Sequence, residues 1–297
     1  MQQQQQAPAG DLNDYRMQKL RALAAQHEIR LDWVVKLRQL ESFSICLLCD
    51  DSGSMATACS SGSARGGAQR DPFGRQSTRW SELQNTVALL VQMVTALDAS
   101  GAVDIFFLNR PPLLGVTDAA QVAVAFAQPP QGFTPLTRLF WHIVQAKQAV
   151  LAEKKLLLLI ATDGQPTDDG GNVRIPEFLQ ALQTKPANMY VQIMACTDDE
   201  SCMAYLNAAD QSVPKLDVTD GAWGAAPGGA ALALTLRCLA DLALPSCTSL
   251  ALPLLPRADY ASERAEILRA QGASFHFTFG DCECIVGGVA CARAQRD

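Results

Sequence analysis

Phe43-Ser-Ile-Cys-Leu-Leu-Cys49-Asp50-Asp51-Ser52-Gly53-Ser54 joins a nearly unbroken apolar run to a cluster of oxygen-bearing side chains. Seven residues are too few for a helix standing alone. An apolar run of that length without alternation reads as a strand buried on both faces. The polar cluster therefore begins where that strand ends.

Working outward, the same alternation repeats. Residues 80–97 carry Leu83, Val87, Leu90, Val91 and Val94 at helical spacing. Strands are expected at 103–108, 156–161, 189–195 and 216–218, with helices at 119–127, 135–152, 176–183 and 200–209. This order of strands and helices implies an α/β fold: a Rossmann-like, doubly wound, mostly parallel central sheet flanked by helices. Ligands in such folds sit beyond the carboxyl ends of the strands, which is where Asp50 and its neighbours fall.

The flanks are of different character. Residues 1–10 begin with a glutamine run and are expected to be a disordered tail. Residues 11–42 hold two amphipathic stretches and read as a helical arm packed on a main domain spanning 43–220. Residues 59–77, rich in Gly, Ser and Arg, read as a loop. Residues 221–258 break the rhythm with Gly-rich and proline-interrupted apolar sequence. They read as an inserted surface excursion or as unspliced coding sequence. Arg237, Asp241, Pro245, Pro253 and Pro256 argue against a membrane span there. Residues 259–297 are expected to supply a helix and the strand 275–279 that complete the domain.

Composition narrows the function. A 297-residue chain with formal charge −6 has no basic excess of the kind a nucleic-acid binder shows. No basic segment leads into an apolar one at the start, so no secretory signal is expected. The ten cysteines then read as reduced thiols of a cytoplasmic protein, with Cys46 and Cys49 acting as small hydrophobes.

Three segments place oxygen donors at strand ends or helix starts. They are Asp50-Asp51-Ser52-Gly53-Ser54, Gly132-Phe133-Thr134-Pro135, and Thr162-Asp163-Gly164. Two carboxylates and three hydroxyls make a hard-oxygen set suited to Mg²⁺, Mn²⁺ or Ca²⁺. Gly53 is expected to let the first loop turn sharply enough for both serine hydroxyls to face one point. Asp51 is expected to point away, toward solvent or a supporting role. Asp168 and Asp169 read as turn residues, His142 and His276 as packing or surface histidines, and Arg110 and Arg138 as rim cations able to form salt bridges. The competing reading makes Asp50 and Ser52 turn caps and Thr134 a helix cap.

In this order the three segments resemble the metal-ion-dependent adhesion site (MIDAS) of von Willebrand factor A (vWA) domains, nearest in flavour to the intracellular copine-like branch. The resemblance covers about residues 43–218 and resumes at Asp259. It implies a divalent cation, Mg²⁺ or else Mn²⁺ or Ca²⁺, held by Ser52, Ser54 and Thr134, with Asp50 and Asp163 acting directly or through water. It also implies a protein partner that completes the coordination with an acidic side chain. Phe133 departs from the family pattern, in which many members have a second glycine. Two other readings stand beside this one. A metal-dependent hydrolase or phosphotransferase lacks a second acid two residues after Asp50, that position being Ser52, and lacks a general base. A non-catalytic subunit of a ubiquitin-ligase or ATPase-coupled complex would draw its catalysis from another chain.

Overall fold

The computed structural model describes residues 9–26, 38–59, 77–97, 101–197, 199–220, 275–279 and 282–286. The chain divides into two compact units, Met1–Pro245 and Ser246–Asp297.

The first unit is built on β1 (Phe43–Cys49), β2 (Val103–Phe107), β3 (Leu113–Val116), β4 (Lys155–Thr162), β5 (Met189–Ala195) and β6 (Leu216–Asp220). They form one sheet in the order β3-β2-β1-β4-β5-β6. Every pairing is parallel except β2 with β3. This is the doubly wound order in which the chain first grows toward one edge, then returns to the centre and grows toward the other. The reversal lies between β1 and β4, which pair from Phe43↔Lys155 to Cys49↔Ala161.

The helices are α1 (Ala9–Gln26), α2 (Arg79–Leu97), α3 (Ala119–Phe126), α4 (Leu136–Ala146), α5 (Gln148–Glu153), α6 (Ile175–Gln183) and α7 (Glu200–Ser212). Alternate residues of the central strands, Cys46, Leu48, Leu158 and Ile160, form one core with Leu136, Phe140, Phe178 and Leu206 of α4, α6 and α7. The intervening residues Ile45, Leu47, Leu157 and Leu159 are equally buried, as a sheet covered on both faces requires. Leu83, Leu90, Val91 and Met93 of α2 are fully buried as well. Trp80 at its start stacks on Phe126 of α3 with ring centroids 4.1 Å apart. The helical arm is packed: Leu20 of α1 is buried, and Arg16 donates to the Leu97 carbonyl at 3.3 Å.

The structure differs from the sequence reading in three places. The helix expected over 135–152 is two helices, α4 and α5, that meet at Lys147, whose ammonium pairs with Asp104 of β2. The antiparallel edge strand β3 was not foreseen. The strand at 275–279, labelled β7 (Phe275–Phe279), pairs antiparallel with β8 (Cys282–Val286) in a sheet of its own in the second unit. The expected second arm stretch before residue 38, the loop at 60–76, the excursion at 221–258 and the helix near 260–270 lie outside the described residues. Among the described residues no helix is long and apolar enough to cross a membrane.

Candidate metal centre

Because β1 and β4 are sheet neighbours, their carboxyl ends deliver Asp50 and Asp163 to the same crevice, at the reversal of strand order. The Asp50 amide continues the ladder by donating to the Ala161 carbonyl at 2.8 Å, and its side chain is fully buried. One carboxylate oxygen accepts from the Ser52 amide at 2.8 Å, the other from the Thr162 hydroxyl at 2.6 Å. A short 3₁₀ turn, Gly53–Ala56, then swings the chain so that the Ser52 and Ser54 hydroxyls lie 3.0 Å apart. Ser54 donates onward to one Asp163 oxygen at 2.7 Å. Four of the five expected residues thus form a continuous chain of contacts.

Thr134 joins them through the main chain. The Gly53 amide donates to the Gly132 carbonyl at 3.2 Å, and Gln131 donates to the Asp51 carbonyl at 2.7 Å. From the other side, Thr167 accepts from the Thr134 amide at 2.9 Å and donates its own amide to the Thr134 carbonyl at 2.8 Å. Thr134 is buried, while Phe133 beside it is 52% exposed, its ring lying against Gly171.

The hydroxyls are not spent on caps. Ser52 occupies the N-cap of the 3₁₀ turn without a side-chain capping bond, and α4 is entered from Pro135, also without one. Asp50 does receive the Ser52 amide, so the capping alternative holds for that single bond. Gly53 needs correction: its backbone is not left-handed, and an added Cβ would meet only the Gly132 carbonyl at 4.0 Å. The constrained glycine is Gly132, with φ +103° and the Asn109 carboxamide 2.5 Å from where a Cβ would stand.

Asp51 is fully buried and faces away from the serines. Its carboxylate accepts from the Asn109 amide at 2.8 Å and from Arg110 Nε at 2.6 Å. The other guanidinium nitrogens of Arg110 donate to the carbonyls of Ala125 at 2.9 Å and Pro129 at 3.1 Å. Asp51 therefore braces the loops on which Phe133 and Thr134 ride. Asp168 is a turn residue: the Asn172 carboxamide, donating at 3.0 Å, and then the Asn172 amide at 2.9 Å draw its carboxyl down to about 2, with Arg174 and the Gly170 amide adding to them. Arg138 pairs with Asp169 at 3.3 Å in an exposed contact, and His142 lies edge-on to Phe106.

Arg79, the first residue of α2, carried no signal in the sequence. Its guanidinium donates to the second Asp163 oxygen at 2.7 Å and to the Thr197 hydroxyl at 2.9 Å. Arg79 lies 84 positions from Asp163, and only the assembled fold brings the two together.

Burial, and then the neighbouring Asp163 charge, push the Asp50 carboxyl up from 3.8 to about 6, against hydrogen bonds from Ser52 and Thr162 that hold it down. The same burial pushes the Cys46 thiol up to about 12 and raises Cys49 and Cys196 further from thiolate form. Burial thus keeps all three in the protonated thiol form at neutral pH. Among the described residues no group of three or more His, Cys, Asp or Glu side chains is placed to hold a metal. A cation here would rest on mixed hydroxyls and carboxylates, which suits a hard divalent ion and not zinc or copper.

No protein-family model and no curated protein matches the sequence. Among solved structures the chain is similar to the pilus adhesin SpaC from Lactobacillus rhamnosus GG. One crystal structure matches at 16% sequence identity and TM-score 0.46, over 68% of this chain and 30% of the adhesin. A second, in an open conformation, matches at 15% identity and TM-score 0.45 over the same shares. The chain thus spans under a third of the adhesin's length.

Proposed function

We propose that this chain is a vWA-type domain that binds one divalent cation at a MIDAS and uses it to hold an acidic side chain of a protein partner. One observation carries the reading. At the reversal of strand order, two buried carboxylates and two serine hydroxyls that cap nothing are linked in one continuous cluster, with a third uncapping hydroxyl residue, Thr134, braced alongside.

Ser52, Ser54 and Thr134 would be the neutral ligands, and Asp50 and Asp163 the charged groups behind them. The cation would supply Lewis acidity for one further oxygen ligand, and a partner's Asp or Glu has that chemistry. Mg²⁺ is the proposed ion, with Mn²⁺ and Ca²⁺ as substitutes. The buried free thiols Cys46, Cys49 and Cys196 are compatible with a reducing, cytoplasmic setting.

Thermal unfolding in EDTA, Mg²⁺, Mn²⁺ or Ca²⁺ tests the proposal. A ligand that binds only the folded state at about 100 times its Kd stabilises it by about 2.7 kcal/mol. The wild type should shift, and Asp50→Ala and Thr134→Ala should not. Calorimetry that detects no heat of binding at millimolar cation would remove the reading.

A further inference from the structure

The site's charge balance is set by residues outside the ligand set. Of three buried aspartates at the crevice, Asp51 is already neutralised by Arg110. That leaves Asp50 and Asp163 facing the serines, and a divalent ion would just balance the two. Arg79 upsets that balance. Its guanidinium sits on the outer oxygen of Asp163 at 2.7 Å, while Ser54 holds the inner one.

Arg79 is also fixed in place. Its second nitrogen is anchored on Thr197, just past β5, and its backbone amide donates to Thr57 at the end of the serine loop, at 3.0 Å. With the side chain only 20% exposed, the charge cannot swing away into solvent without breaking both guanidinium bonds.

We infer that Arg79 determines the site's specificity: it weakens the hold on the cation and leaves the loaded site with one positive charge to spare, so that the site demands an anionic ligand. The inference rests on the cation reading above and adds a residue that the ligand motif does not contain. A unit charge across one hydrogen-bonded carboxylate from a dication changes its affinity roughly tenfold even in the dielectric of water. Removing the charge should therefore tighten cation binding, whereas losing a merely structural side chain should loosen it or leave it unchanged.

The experiment is titration of the full chain with Mn²⁺ by calorimetry and with Tb³⁺ by luminescence. The proteins are wild type, Arg79→Gln, Arg79→Lys and Thr197→Val, each first unfolded in EDTA to establish that it folds. Arg79→Gln should bind Mn²⁺ roughly tenfold more tightly. The gain for Tb³⁺ should be larger, since a Coulombic effect scales with the ion's charge. Arg79→Lys, which keeps the charge, should stay close to wild type. Thr197→Val releases one anchor and should tighten binding by a smaller factor, which supplies the reading if Arg79→Gln does not fold cooperatively. A wild type that binds beside an Arg79→Gln that binds no better, or gains equal for the two ions, overturns the role of Arg79 and leaves the cation site standing. If neither wild type nor any variant binds, the cation reading falls and this inference falls with it.

Discussion

Asp50→Asn should stabilise the protein in chelator at neutral pH, the opposite of what replacing a buried, hydrogen-bonded residue usually does. The folded protein holds the Asp50 proton to about 6, against 3.8 for the free group. A carboxyl raised in this way contributes stability that is full below about 3.8 and is lost as pH rises through about 6. Two pKa units correspond to about 3 kcal/mol, so above that window the ionised carboxylate costs the fold about that much. An asparagine carries no charge and keeps the acceptor for the Ser52 amide. Its amide nitrogen would face the Thr162 hydroxyl, which now donates to Asp50 and would have to turn and accept, at a cost of about 1 kcal/mol for its unused proton. The net expectation is a gain of about 2 kcal/mol. Urea unfolding in EDTA at pH 7.5 and pH 4.5 measures it: the variant should lead at the higher pH and lose that lead at the lower. In excess Mg²⁺ the order should invert, since only the wild type would gain from the ion. An Asp50→Asn protein less stable than wild type in EDTA at pH 7.5, or a difference that ignores pH, would refute the reasoning.

Two further outcomes follow from contacts around the site. Arg110→Ala leaves the buried Asp51 carboxylate without its ion pair and should cost about 3–5 kcal/mol by urea unfolding. A loss under about 1 kcal/mol would mean that Asp51 is satisfied by Asn109 alone. Gly132→Ala forces a Cβ onto the Asn109 carboxamide at φ +103° and should destabilise by about 1–3 kcal/mol, while Gly53→Ala, with open space around it, should stay within about 0.5 kcal/mol. Equal effects at the two glycines in the same assay would contradict the geometry.

The parts of the fold that were legible in the sequence are those whose cause is local. The bounds of β1 and β5 follow from their apolar runs, and α2 from a stripe that begins at Trp80. β3 was not legible because only four residues form it, half of them exposed, directly after Pro111 and Pro112. It exists only by pairing with β2 across an irregular register. At the break Lys147 pairs with Asp104 of β2, a contact that no helical period encodes. The cluster of Asp50, Ser52, Ser54 and Asp163 was readable because its residues are short and sit at strand ends. Its electrostatic setting was not, since Asp51 meets Arg110 59 positions away.

That setting explains why a cation would matter most at one of the three aspartates. All three are buried where strands open toward solvent, and each carries its charge differently. Asp51 has Arg110, and Asp163 has Arg79. Asp50 has hydrogen bonds from Ser52 and Thr162 and the negative charge of Asp163 nearby, and among the described residues no guanidinium pairs with it. A buried carboxylate without a countercharge is the most costly arrangement a fold can hold at neutral pH. Its position next to the Ser52 and Ser54 hydroxyls, which bond one another and Asp163, is therefore where a divalent ion would recover the most free energy. The serines alone would bind such an ion weakly. Asp50 without the serines would be better replaced by a neutral side chain. Only the pair, at the carboxyl end of β1, would join hydroxyl oxygens to an uncompensated carboxylate on one ion.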